Sequence, residues 1–267
     1  MSVKSSGSVF EVLRELAEAS QPISAAELAA TLRLPVTSTI RALATLEAAN
    51  FAKRENGSAK YVMGGAARLL SHAFMSQFPI RDAALPYLQR LSAVSGVSCS
   101  LFQRLGWCSL RIAFVAGTTS IINVSVLGES SSLTTGAAGI AILSGARVAF
   151  CRQAHAAAPS GSWEDLTAKT RLAKSRGFAL EQSRFDQGGH DLAVPLRGDD
   201  GQAFAAIVLE GLVLQDGALS LQVPGYLEII RELQLTIDDD PESFHGHYDH
   251  VGPEDIKLGL SPAHHGI

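Results

Sequence analysis

Residues 23–62 constrain the fold most, because one unbroken run encodes two short helices, a tight turn and a hairpin. Ser24 stands three residues before Glu27, so hydroxyl and carboxylate can each satisfy a backbone amide of the other and start a helix that runs to about Ala30. Leu32, Arg33 and Leu34 form a tight connection. Pro35, with its φ preset for a first helical turn, then starts a second helix reaching about Ala49. In that helix Ile40, Leu43 and Leu46 recur at three-residue spacing and are expected to face the core, which leaves Thr37, Ser38, Arg41 and Thr45 on other faces. Phe51 to Arg54 and Ala59 to Val62 read as strands, with Asn56-Gly57 between them as a strong hairpin signal. The order is that of a winged helix-turn-helix.

Charge supports a nucleic-acid partner for this stretch. From Arg33 to Arg68 there are six basic residues (Arg33, Arg41, Lys53, Arg54, Lys60, Arg68) against two acidic ones (Glu47, Glu55), in a chain whose formal net charge is −4. A basic island in an acidic chain is expected where one module meets phosphate and the rest does not. Short hydroxyls at a helix start suit phosphate contact and close approach to base edges, and an arginine one turn on can reach guanine. The candidate DNA-binding residues are Thr37, Ser38, Thr39, Arg41 and Thr45 in the second helix, with Lys53, Arg54 and Lys60 in the wing. The competing reading is a plain helical hairpin or a winged protein-interaction domain.

At Ile23-Ser-Ala-Ala-Glu-Leu-Ala29, Leu34-Pro35 and Arg41-Ala-Leu-Ala-Thr-Leu46 the chain resembles bacterial transcriptional regulators of the isocitrate lyase regulator (IclR) family, and the resemblance spans about residues 7–236. It departs from the family at Val36, where a basic residue is common, and at Ile40, where a small or polar one is common. The operator is therefore expected to be particular to this chain. Repression relieved by a ligand is the commoner behaviour that the resemblance implies.

The 267 residues, 46% hydrophobic and 18% charged, suit a soluble globular protein, and the motif order favours two domains. No opening stretch has the order of a signal peptide and no apolar run spans a bilayer, so a cytoplasmic protein without membrane contact is expected. Cys99, Cys108 and Cys151 form no Cys-x-x-Cys pair and are read as buried thiols, with redox sensing as the sharper alternative. The domain expectation is a winged helix-turn-helix over residues 7–63, linker and dimerisation helices over 64–95, an effector-binding domain over 96–237 and a loosely docked tail over 238–267. Before the reading head, Val9, Val12, Leu13, Leu16 and Ala17 follow a helical period that completes a three-helix core, while Met1 to Ser6 is expected to fray. After it, apolar residues mark helices from Ala66 to about Phe78 and from Ile80 to Val94 that offer a dimer seam, or simply pack on their own chain.

The C-terminal half begins with β-branched, glycine-punctuated runs over Val97–Arg104, Trp107–Val115 and Ile121–Leu127, an antiparallel meander. Leu133 to Leu143 then passes from small and hydroxyl residues into a helix, so that free amides and a positive dipole end would face a cavity, unless the small residues only allow close packing on the sheet. A helix over Ser162–Ser175, the segment Glu181–Phe185, a loop at Asp186–Gly189, strands over His190–Leu196 and Ala203–Glu210, and a last helix over Gly225–Leu235 follow. The fold class is α+β: an N-terminal winged helix-turn-helix joined by a linker helix to an α/β domain with antiparallel sheet. The family resemblance implies that this domain is GAF-like and binds small metabolites. It implies effector contacts at Thr134, Gly136, Ala137, Ala138, Glu181, Asp191, Val208 and Glu210, with carboxylates or apolar groups where the family often has hydroxyls. Added carboxylates disfavour a compact anion, so a larger, partly aromatic effector with hydrogen-bond donors is expected.

No cofactor, metal site or catalytic residue is expected. The alternative is a small-molecule hydrolase or metal-responsive sensor using Glu181, His190, Asp191 and Glu210, but no nucleophile elbow surrounds Ser100 or Ser183. His245, His247 and His250 in the tail have unspecific metal-ligand spacing. The partners expected are double-stranded operator DNA, a small organic effector and further copies of the chain as homodimer or tetramer.

Overall fold

The computed structural model describes residues 3–118, 127–183, 188–213 and 218–244. Residues 121–126 of the third expected strand, residues 184–187 and the histidines from His245 onward lie outside the described residues. The chain divides into two compact units, Met1–Ser76 and Gln77–Ile267.

The first unit holds α1 (Val3–Glu18), β1 (Ile23–Ser24), α2 (Ala25–Leu32), α3 (Val36–Ala48), β2 (Ala52–Arg54), β3 (Lys60–Met63) and α4 (Ala66–Met75). The Ser24–Glu27 box forms: Ser24 Oγ accepts from the Glu27 amide at 3.3 Å and the Ser24 amide donates to Glu27 Oε2 at 2.7 Å. Arg33, at φ 54°, turns the chain between α2 and α3, and Pro35 sits in extended conformation just outside α3. β1, β3 and β2 make a three-stranded antiparallel sheet in that order. Val12 and Leu16 of α1, Leu28 of α2, Leu43 and Leu46 of α3, and Tyr61 of β3 share one buried cluster. α1 begins at Val3, earlier than the frayed start expected.

The face of α3 differs from its sequence reading. Thr39, Ala42, Leu43 and Leu46 are buried, whereas Ile40, expected in the core, is 49% exposed. Thr39 can turn inward because its hydroxyl donates to the Pro35 carbonyl at 3.3 Å, which satisfies the polar group inside the helix itself.

In the second unit α5 (Ile80–Ser95) precedes β4 (Ser98–Leu105), β5 (Cys108–Val115) and β6 (Ser130–Ser132). Next come α6 (Gly136–Ser144), α7 (Val148–Ala157), α8 (Trp163–Arg176), β7 (Ala179–Gln182), β8 (His190–Arg197), β9 (Ala203–Leu212), α9 (Ala218–Asp239) and α10 (Pro241–Phe244). The strands form one six-stranded sheet, order β6-β5-β4-β9-β8-β7, with every paired neighbour antiparallel. α6 packs on β8 and β9 and against α8, and α5 packs on β4 and β5 and against α9. Arg90 bridges to Glu232 with both carboxylate oxygens, at 2.5 and 3.1 Å, which ties α5 to α9. α6 buries all its residues after Gly136, and its close seat requires Gly139: a Cβ there would lie 2.4 Å from the Leu133 carbonyl oxygen.

Candidate functional site

Two surfaces carry chemistry, one in each unit. In the first, α3 exposes Val36, Thr37, Ile40, Arg41, Ala44 and Thr45, a stripe spaced by four and five along one helical face, and also Glu47 and Ala48 in its last turn; Ser38 is half-buried at the margin of the stripe. Thr45 donates its hydroxyl to the Arg41 carbonyl at 3.0 Å, so it presents its methyl as well as its oxygen. Thr39, one of the DNA-binding candidates, is 0% exposed and has no access to this face. In the wing Lys53, Arg54 and Lys60 are all exposed. Arg54 lies over the Tyr61 ring at 5.3 Å and donates to its hydroxyl at 3.1 Å, which holds one wing cation in place.

In the second unit a small, partly open cavity of about 60 Å³ lies between the start of α6 and the sheet. Thr135, Gly136, Ala137 and Ala138 close one side. Phe102, Ser109, Arg111, Ser131, Asp191, Val208 and Glu210 line it from the strands, and Glu129 from the segment before β6. Gly136 adopts φ +68° at the helix start, a conformation that side chains rarely tolerate. Thr135 could cap α6 but does not, since its hydroxyl donates to the Ser132 carbonyl at 3.0 Å. The first-turn amides of α6, with the positive end of the helix dipole, are thereby left without a side-chain cap beside the cavity.

The sequence reading did not single out the group that dominates this cavity. Arg111 is 3% exposed and donates through Nη1 to Glu210 Oε1 and to Ser100 Oγ, both at 2.6 Å, and through Nη2 to Glu129 Oε2 at 3.2 Å. Ser100 donates to the same Glu210 oxygen at 2.5 Å. Strand register explains the convergence: Arg111 stands opposite Phe102 and Ser100 opposite Val208, two residues from Glu210. The guanidinium also lies over the Phe102 ring at 4.8 Å. Burial pushes the Glu210 carboxyl above its ordinary range; Arg111 and the Ser100 hydrogen bond pull it back, and Asp191 raises it again. Asp191 Oδ1 accepts from the Gly211 amide at 2.9 Å.

Of the effector candidates, Gly136, Ala137, Ala138, Asp191, Val208 and Glu210 meet at this cavity. Thr134 and Glu181 do not. They line a wider groove of about 530 Å³ that shares Thr135 and Gly136 with it. There Glu181 pairs with Lys169 at 2.5 Å, and the Thr134 hydroxyl donates to the Ala158 carbonyl at 2.7 Å. A lone charge in an apolar strand, Leu110-Arg111-Ile112, was the available sign of Arg111, but its partners Glu210 and Ser100 are joined to it only by the fold. Cys99, Cys108 and Cys151 are buried, and burial pushes the Cys99 thiol up to about 12, which suits a packed thiol better than a redox sensor. Among the described residues no cluster of three or more His, Cys, Asp or Glu could hold a metal ion, and no helix is long and apolar enough to cross a membrane.

Comparison with known proteins bears on both surfaces. Residues 9–56 match the family model of the IclR helix-turn-helix domain. Over 231 residues, 83% of each chain, the protein is 25% identical to the HTH-type transcriptional regulator BhcR of Paracoccus denitrificans (strain Pd 1222). Its fold is similar to the crystal structure of Thermotoga maritima IclR, with TM-score 0.69, 20% identity and coverage of 89% of this chain and 98% of that one. It is similar also to an IclR homolog from Microbacterium hydrocarbonoxydans complexed with 4-hydroxybenzoate, with TM-score 0.71, 16% identity and coverage of 88% and 99%. A basic winged helix-turn-helix followed by an α/β domain is the make-up of a DNA-binding transcriptional regulator. Residues 9–56 thus form a helix-turn-helix domain of the IclR type, and the chain as a whole is similar to regulators of that family. These findings support the regulator and not the hydrolase or metal-sensor alternative.

Proposed function

We propose that the protein is a homodimeric repressor of the cytoplasm that leaves its operator when a small organic effector enters the cavity at the start of α6. The observation that carries this reading is the cavity itself: uncapped helix amides face a buried guanidinium and carboxylates across it, a polar interior that stability alone does not call for. Residues 7–63 then read DNA, 64–95 pair the protomers and the GAF-like domain over 96–237 binds the effector. α4 supports pairing, since none of its residues is buried and Leu69 and Leu70 are 65% and 59% exposed, an apolar surface suited to a second copy. Paired α3 helices would enter major grooves about one turn apart, with Thr37, Ser38 and Arg41 at base edges and Lys53, Arg54 and Lys60 on phosphates.

The effector carries a hydrogen-bond acceptor toward the α6 amides and a donor toward Asp191 and Glu210. Arg111 alters the charge count made from the sequence, because one guanidinium offsets part of the acid and readmits ligands with an anionic end. The IclR homolog that holds 4-hydroxybenzoate supports a small organic acid as a starting probe. Control requires only that the ligand bind the DNA-competent and DNA-released arrangements unequally. Arg41→Ala tests the DNA half: operator affinity should fall at least tenfold with the fold and effector binding intact, and unchanged affinity would remove α3 from the interface.

A further inference from the structure

We propose that Val36 and Ile40 are thymine readers, an apolar strip of α3 that takes the 5-methyl groups of thymines in the major groove of the operator. The inference rests on the DNA-binding reading above and goes on to say which bases are read. Val36 is 47% exposed and Ile40 49% exposed, although both are large aliphatic side chains on a helix whose inner face is filled by Leu43 and Leu46. Four residues apart, they lie one above the other on the same face, and exposed Ala44 continues the strip with a side chain too small to hold the helix away from a groove.

Beside this strip runs a polar one, Thr37, Arg41 and Thr45, with the wing cations Lys53 and Lys60 exposed in the same unit. That setting selects the occupant. A surface with one arginine in its stripe and basic flanks suits a polyanion, and within duplex DNA the apolar feature of the major groove is the thymine methyl. Arg41 has the reach and the paired donors to read a guanine near those thymines. The operator half-site should therefore hold at least one thymine, and in the simplest geometry two, within a few base pairs of a guanine.

The test uses the full-length protein and a duplex selected by it from a random-sequence pool. Each thymine of the selected half-site is replaced in turn by deoxyuridine, which removes the methyl and leaves pairing and hydrogen bonding unchanged. Loss of one buried methyl should weaken binding about fourfold. In Ile40→Ala or Val36→Ala the penalty should vanish at the thymine which that side chain covers, a coupling that a general loss of affinity would not give. Tight, selective binding that is indifferent to every deoxyuridine would overturn the thymine assignment and leave the regulator intact. A penalty that persists in both variants would assign the effect to other contacts. Failure to select any sequence would overturn the DNA-binding reading itself, and a change of oligomeric state in the variants with the deoxyuridine penalty retained would give the face to a second copy of the chain.

Discussion

Arg111 shows how one residue can reorganise a site. Its side chain is 4% exposed and that of Glu210 11%, so both charges have left water and each depends on the other. Replacing Arg111 by Met should cost about 3–5 kcal/mol, since it leaves a buried carboxylate without its cation. Adding Glu210→Gln to that variant should recover most of the loss, because two neutral side chains remove both desolvation penalties. Urea unfolding of the single and double variants decides it: additive losses would mean that the pair is not coupled. The same residue shows what the sequence could not tell about the cavity wall. Asp191, Val208 and Glu210 were identified as wall residues, but the cation that offsets them comes from a strand 99 positions away from Glu210 in sequence, and nothing local in Leu110-Arg111-Ile112 names its partner. Thr39 is the opposite case, a polar side chain drawn inward because its own helix satisfies it.

α6 combines the two roles that its small residues permit. Gly139 lets the helix press onto the loop at Leu133, while Gly136, Ala137 and Ala138 keep its first turn beside the cavity. Gly139→Ala should destabilise the second unit by about 1–3 kcal/mol, because the added methyl meets backbone that cannot swing aside. A thermal or urea midpoint unchanged from the parent chain would contradict that seat for the helix. Elements with strong local chemistry were the legible ones: the Ser24–Glu27 box, the turn into α3 and the Asn56-Gly57 hairpin are each decided within a few residues. β6 pairs through only three residues and α7 carries polar residues among its apolar ones, so neither announced itself by periodicity. The inner face of α3 was legible at Leu43 and Leu46 but not at position 39 or 40, where Thr and Ile exchange the places that hydrophobicity alone assigns.

For the whole molecule, the chain concentrates basic charge in its helix-turn-helix unit while its formal net charge is −4, which suits a division in which phosphate attraction is confined to that unit, as proposed. The two-unit division and the match of residues 9–56 to the IclR helix-turn-helix model suit the proposed regulator, in which one unit reads DNA and the other takes a small molecule. Operator recognition, as proposed, is selective and electrostatically driven binding by α3 and the wing. Fluorescence anisotropy of the full-length protein on the DNA just upstream of its own gene, across a salt series and against an unrelated duplex, tests it most directly. Selective binding is expected, with log affinity falling with log salt at a slope of about −4 to −5.5, from the phosphate contacts of Lys53, Arg54 and Lys60 made twice in a dimer. Equal affinity for both duplexes, or affinity that does not respond to salt, would contradict it.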